Sequence, residues 1–203
     1  LESALRIGAG EPGLKLIETM RWDGARVPLW PLHHARLSAG AAALGWAVPK
    51  VAVAGPKGQA ARLRLTLDAA GAVQVEVGEV PPAKDIWRVG LAAERLASDD
   101  PWLGVKSTRR GAYDRARASL ADGLDEALLL NEQDEVCDGT ITTLFFDRGA
   151  GMRTPPLACG LLPGVLRASL ACPEEVLLAA DLPHVRLWLG NALRGLSRAV
   201  WLG

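Results

Sequence analysis

The chain has 203 residues, 49% of them apolar, which is enough for a sizeable core and excludes a disordered chain. Lys plus Arg and Asp plus Glu number 23 each, so the net charge is zero and neither nucleic acid nor an anionic membrane surface is an expected partner. Cys137, Cys159 and Cys172 match no metal-ligand spacing and suit a reduced, cytoplasmic protein in which Cys137 and Cys159 are small apolar fillers.

Residues 1–13 carry no basic segment followed by an apolar run, so no leader is expected, and no apolar stretch approaches the roughly 20 residues of a membrane span. KLIETMRW over 15–22 alternates, with Leu16, Glu18, Met20 and Trp22 on one face of a strand. Asp23-Gly24 is a hairpin signal and predicts a return strand over 26–30. Pro31 suits a first helical turn, and 33–46 reads as a helix with Leu37, Ala41 and Leu44 at core spacing. Arg36 shares a stripe with Leu32, Gly40 and Ala43. It fits an ordinary surface arginine with a buried stem, or one aimed at something bound. His33 and His34 read as packing or capping residues rather than acid–base groups.

Residues 48–60, punctuated by Pro and Gly, read as a loop. RLRLTL over 62–67 sets Leu63, Leu65 and Leu67 against Arg62, Arg64 and Thr66, and 72–80 returns with Val73, Val75 and Val77 on one face. Arg62 and Arg64, side by side on a strand, fit a solvated face or a contact with a substrate carboxylate. PPAK over 81–84 is the best linker, dividing the chain into two α+β units. Beyond it lie a strand over 87–92 and a helix over 111–120. A hairpin of 127–131 with 136–146 follows, the second arm within one strand from Glu135 to Asp147. Helices over 164–171 and 173–180 come next, then strands over 185–189 and 197–202 about the turn GNALRG. Asp138 sits inside its strand, and GLLPG over 160–164 opens onto a helix whose first N–H groups suit a phosphate. An acid on a strand with an anion cradle suggests a phosphorylated, protonatable ligand.

Several segments then stand in a telling order: LIETMRWDG, HHARL, VKSTRRGAYDRAR, EVCDGTITTLFF with TPPLACGLLPGVLR, and LGNALRG. On these the chain resembles the class IV aminotransferase family. These are the fold type IV pyridoxal 5'-phosphate (PLP) enzymes, which include branched-chain and D-amino acid aminotransferases and 4-amino-4-deoxychorismate lyases. The resemblance implies a two-domain α+β architecture of the D-amino acid aminotransferase type, with PLP in the cleft between domains. A smaller N-terminal domain spans 1–83, and a larger C-terminal domain spans 84–203 and carries the PLP lysine.

The same resemblance implies roles for single residues. Lys106 falls on the Schiff-base lysine, which also shuttles the substrate proton. Arg36 falls on an arginine that binds the cofactor phosphate, and the backbone of Val165 and Leu166 on the phosphate-cradling helix start. Asn191 and Ala192 fall on a turn whose N–H groups help hold phosphate or substrate carboxylate. Arg64 falls on a strand that borders the substrate. Asp138 stands where relatives have a Glu at the pyridine nitrogen, and Thr143 where they have Asn. A homodimer acting on a small-molecule amino substrate is implied, with no metal. GLLPGVLR, GNALRG and the small size resemble the aminodeoxychorismate lyase branch, which eliminates pyruvate to give 4-aminobenzoate for folate biosynthesis. The alternative is an aminotransferase using the same lysine for a 1,3-proton shift. A non-catalytic member is the alternative of another class, supported by Asp138 in place of Glu. An unrelated phosphate-binding domain leaves Lys106 unused.

Overall fold

The alternation of KLIETMRW becomes strand β1, Lys15–Trp22, in a computed structural model that describes residues 3–48 and 50–203. Leu1, Glu2 and Pro49, the last within the expected 48–60 loop, lie outside it. Helix α1 (Ala4–Gly8) precedes β1, and α2 (Trp30–Leu44), β2 (Ala61–Asp68) and β3 (Val73–Gly78) follow it. The strands form an antiparallel sheet in the order β1-β2-β3, with Leu16 opposite Leu67 and Met20 opposite Leu63. Leu63, Leu65 and Leu67 are fully buried and pack with Leu37, Ala41 and Leu44 of α2. Each such leucine contributes roughly 2 kcal/mol by leaving water. Pro31 lies in the first turn of α2, and Gly45 ends the helix at φ 75°, a left-handed conformation that glycine adopts without strain.

The return strand expected over 26–30 is absent. Asp23 Oδ1 accepts from the backbone N–H groups of Ala25 and Arg26 at 2.9 and 2.8 Å, a side-chain-stabilised turn that sends the chain into α2. β2 takes the place beside β1.

The second unit holds β4 (Ile86–Leu96), α3 (Gly111–Ala118), β5 (Glu126–Asn131), β6 (Val136–Gly139) and β7 (Thr143–Asp147). It is completed by α4 (Val165–Leu170), β8 (Arg186–Asn191) and β9 (Gly195–Trp201). Its sheet runs β6-β5-β4-β9-β8-β7, with β4 parallel to both its neighbours. Trp87, Val89, Leu128, Leu144, Phe146 and Leu189 form its core.

The single strand expected from Glu135 to Asp147 is two strands at opposite edges of this sheet, broken at 140–142. The four chain steps from Gly139 to Thr143 reach no more than about 14 Å, so the sheet curls until its edges nearly meet. The break has a local cause: Glu126 of β5 takes the amides of Thr140 and Ile141 that a continuous ladder would have used. Residues 173–180 are not a helix either. Glu174 and Leu178 bridge to Thr154 and Glu135 in extended conformation, and a 3-10 turn, Ala179–His184, follows.

The chain divides close to the expected linker, but two later segments return to the first unit: 101–109 and 192–194. Lys106 lies in the first of these segments. Trp102 and Val105 are buried in the first core, and residues 106–108 run along the free edge of β1. Among the described residues no helix is long and apolar enough to cross a membrane.

Candidate active site

In the first unit the site is built on β1. Glu18 shares the apolar face of Leu16, Met20 and Trp22 and is 1% exposed. A carboxylate in that position requires partners, because burying an unpaired charge is prohibitive. α2 supplies them from one stripe, at positions 33 and 36. Arg36 donates from Nε to Oε1 at 2.8 Å and from Nη2 to Oε2 at 2.6 Å. His33 Nδ1, in a ring as buried as Glu18, lies 2.6 Å from the same Oε2. Burial pushes the Glu18 carboxyl up, but the hydrogen bonds from Arg36 and His33 outweigh it and hold the group below the usual carboxylate range. His33, expected to pack or cap, is thus a hydrogen-bonding neighbour of the Glu18 carboxylate.

Lys106 reaches the same strand through its backbone. Its carbonyl accepts from the N–H of Ile17 at 2.9 Å, one residue from Glu18. On either side Ser107 bridges to Leu16, and Thr108 N donates to the Lys15 carbonyl at 2.8 Å. Lys106 is half-buried between buried Val105 and Ser107. The segment ends on Arg109, whose guanidinium lies 4.5 Å from the Trp102 ring and pairs with Glu11 at 2.6 Å. Lys106 and Arg36 are therefore both anchored to β1.

Arg64 is not with them. It pairs across the sheet with Thr19 and Glu76, on the face opposite that of Leu65 and Glu18. Ala192 belongs to the short segment of the first unit that also contains buried Leu193 and Arg194, whose Nη1 donates to the Pro82 carbonyl at 2.9 Å.

In the second unit Asp138 lies on β6 and is 4% exposed. Tyr113 of α3 places a buried hydroxyl with no hydrogen-bond partner in the electrostatic field of this carboxylate. Burial first, then the Asp138 charge, pushes the phenol far above its ordinary value. After the break, Thr143 pairs with Gly190, next to Asn191. Asn191 Nδ2 donates to the Ile141 carbonyl at 3.0 Å. Gly190 is glycine for want of room: a Cβ there would lie 2.7 Å from Leu166 Cδ2 and 2.3 Å from the Gly195 carbonyl oxygen. Gly164 caps α4 with no side-chain hydrogen bond, directly before Val165 and Leu166. Asp138, Asn191, Val165 and Leu166 thus converge on the two ends of the 140–142 break.

Glu18, Tyr113 and Glu126 escaped the sequence reading. The signal for Glu18 was an acid in an apolar stripe. The signal for Glu126 was an acid opening the wholly buried run EALLLN. Tyr113 carried no signal. Among the described residues no cluster of His, Cys, Asp and Glu could hold a metal.

Known proteins share the sequence pattern and the fold. The amino-transferase class IV family model matches residues 15–200. A Schizosaccharomyces pombe protein provisionally named aminodeoxychorismate lyase is 30% identical over 168 residues, 76% of this chain and 72% of that protein. A provisionally named amino-acid aminotransferase from Mesorhizobium loti is 37% identical. It superposes with a TM-score of 0.86 over 93% of this chain and 100% of its own. The 4-amino-4-deoxychorismate lyase of Pseudomonas aeruginosa, at 22% identity, shares the fold with a TM-score of 0.80 over 98% of this chain and 87% of its own. The chain belongs to the class IV aminotransferase family, a fold type IV family of PLP-dependent enzymes.

Proposed function

We propose that the protein is a 4-amino-4-deoxychorismate lyase, releasing pyruvate to leave 4-aminobenzoate. The observation that carries this choice within the family is the 30% identity to the S. pombe protein of that name over most of both chains. The residues fit the family's cofactor. An aldehyde needs an amine, a phosphate needs cations and N–H groups, and a pyridine nitrogen needs a carboxylate. Buried Asp138 with the unsatisfied Tyr113 hydroxyl near it, and an α4 start lacking a side-chain cap, suit such a group.

In this reading Lys106 supplies the amine. Arg36, the N–H groups of Val165 and Leu166, and Asn191 hold phosphate. Asp138 holds a proton on the ring nitrogen. Bound PLP supplies an electron sink for the carbon that bears the substrate amine. Lys106 takes the proton from that carbon and returns it elsewhere on the substrate. Ala192 and Arg64 contact the substrate. The reading includes a cytoplasmic homodimer, which the exposed apolar Ile86 and Val200 on one face of the second sheet support.

Purified enzyme given aminodeoxychorismate is expected to release pyruvate and 4-aminobenzoate in equal amounts, and Lys106→Ala to release neither. A second reading, an aminotransferase, has its own support in the 37% identity to the M. loti protein. Amino transfer to 2-oxo acids without pyruvate release decides for it. Protein that takes up no PLP defeats both.

A further inference from the structure

Glu126 opens β5 with no exposed surface, yet its carboxylate faces polar groups on every side. Oε1 accepts from the N–H groups of Ala127 and Thr140 at 3.0 and 3.1 Å, from the Thr140 hydroxyl, and from Arg117 Nη1 at 3.3 Å. Oε2 accepts from the Ile141 N–H at 3.2 Å and the Thr142 hydroxyl at 3.0 Å. The carbonyls of the same turn are held from outside, Thr140 O by Arg110 Nη2 at 2.9 Å and Ile141 O by Asn191 Nδ2 at 3.0 Å. Gly139 leaves no slack: a Cβ there would lie 2.3 Å from Thr142 Oγ1 and 3.0 Å from Glu126 Cγ.

We propose that Glu126 is a positioning residue for the reaction: it fixes the 139–142 turn and thereby the placement of Asp138, the residue directly before that turn. The inference rests on the reading of Asp138 as partner of the cofactor ring. A carboxylate is the one side chain that suits this place, since it accepts at both atoms. A glutamine would turn an NH2 toward the Ile141 N–H, setting donor against donor. A turn released on that side shifts its neighbours by tenths of an ångström, which matters at a charge that must meet a ring nitrogen.

Glu126→Gln, loaded with PLP, is the test, and Thr142→Val is the milder variant should Glu126→Gln fail to fold. Turnover is expected to fall about tenfold or more with KM changed less than about twofold. The absorbance maximum of bound PLP is expected to move the same way as in Asp138→Asn. The amides of Thr140 and Ile141 are expected to exchange faster with solvent, with or without PLP. In an Asp138→Asn background Glu126→Gln is expected to cost less than about twofold more, because both act through one contact. Wild-type protein that binds PLP, with variants whose absorbance and turnover match it, overturns this inference alone. So does a double variant whose losses multiply. Wild-type protein that takes up no PLP overturns the underlying reading and the positioning role with it.

Discussion

Glu18 grips Arg36 by two nitrogens, Nε at 2.8 Å and Nη2 at 2.6 Å, while His33 occupies the same carboxylate from beside Arg36. The Glu18 side chain is 1% exposed and that of Arg36 12%. The pair fixes the direction of Arg36 before anything binds to it, which lowers the cost of ordering an anion site. Glu18→Gln removes the carboxylate charge from beside a nearly buried guanidinium. It is expected to cost about 3 kcal/mol in urea-induced unfolding. A loss within about 0.5 kcal/mol would mean that the cluster behaves as an exposed ion pair.

If Arg36 and the α4 start hold the cofactor phosphate and Asp138 meets the ring nitrogen, as proposed, Asp138→Asn separates holding the cofactor from using it. PLP uptake by absorbance titration is then expected to stay near that of the wild type. Asn cannot hold a proton on the ring nitrogen by charge, so turnover is expected to fall about a hundredfold. Unchanged turnover would remove Asp138 from the reaction.

β1 and β2 were legible because a half-buried strand writes its burial into every second residue, and Leu63, Leu65 and Leu67 obey that period. The break at 140–142 was not legible. Thr, Ile and Phe favour strand locally, and the carboxylate that takes the turn's amides comes from Glu126, 14 and 15 residues earlier. The placement of Lys106 depends on Trp102 and Val105 entering a core formed by residues far away in the chain. Asp23-Gly24 misled because an aspartate before glycine serves a hairpin and a side-chain-stabilised turn equally well. The motif order pointed to Lys106, Arg36 and Asp138, but a motif does not say which charges pair. The partners of Glu18 and Glu126 therefore became visible only with the fold.

Asp125 gives the second unit an acid-labile tie. Its carboxylate, 7% exposed, takes Arg88 through N, Nε and Nη2 at 2.9 to 3.1 Å and Lys84 Nζ at 2.6 Å. Arg88 above all holds its pKa well below the ordinary 3.8. A folded pKa below the unfolded one means the stabilisation is complete above 3.8 and is lost as pH falls from there toward the folded value. Asp125→Asn is expected to lower stability at neutral pH and to flatten its fall between about pH 4 and pH 2 in urea titrations. Wild-type and variant curves that stay parallel through that range would show that Asp125 carries none of the acid sensitivity.

Gly164 tests whether the α4 start is held by contact with β7. Its φ of −64° is open to any residue, so the dihedral does not demand glycine. Space does: a Cβ would lie 2.6 Å from Thr143 Oγ1 but 3.7 Å from Thr143 Cβ, the latter an ordinary contact. Gly164→Ala must therefore push the hydroxyl or the helix start aside, at about 1 to 2 kcal/mol. Thr143→Ala removes the obstructing oxygen, so Gly164→Ala is expected to cost under about 0.5 kcal/mol in that background. If the N–H groups of Val165 and Leu166 hold phosphate, Gly164→Ala is expected to weaken PLP binding about tenfold, and Thr143→Ala to restore it. Weakened binding that persists in the double variant would mean that a contact other than Thr143 sets the position of α4.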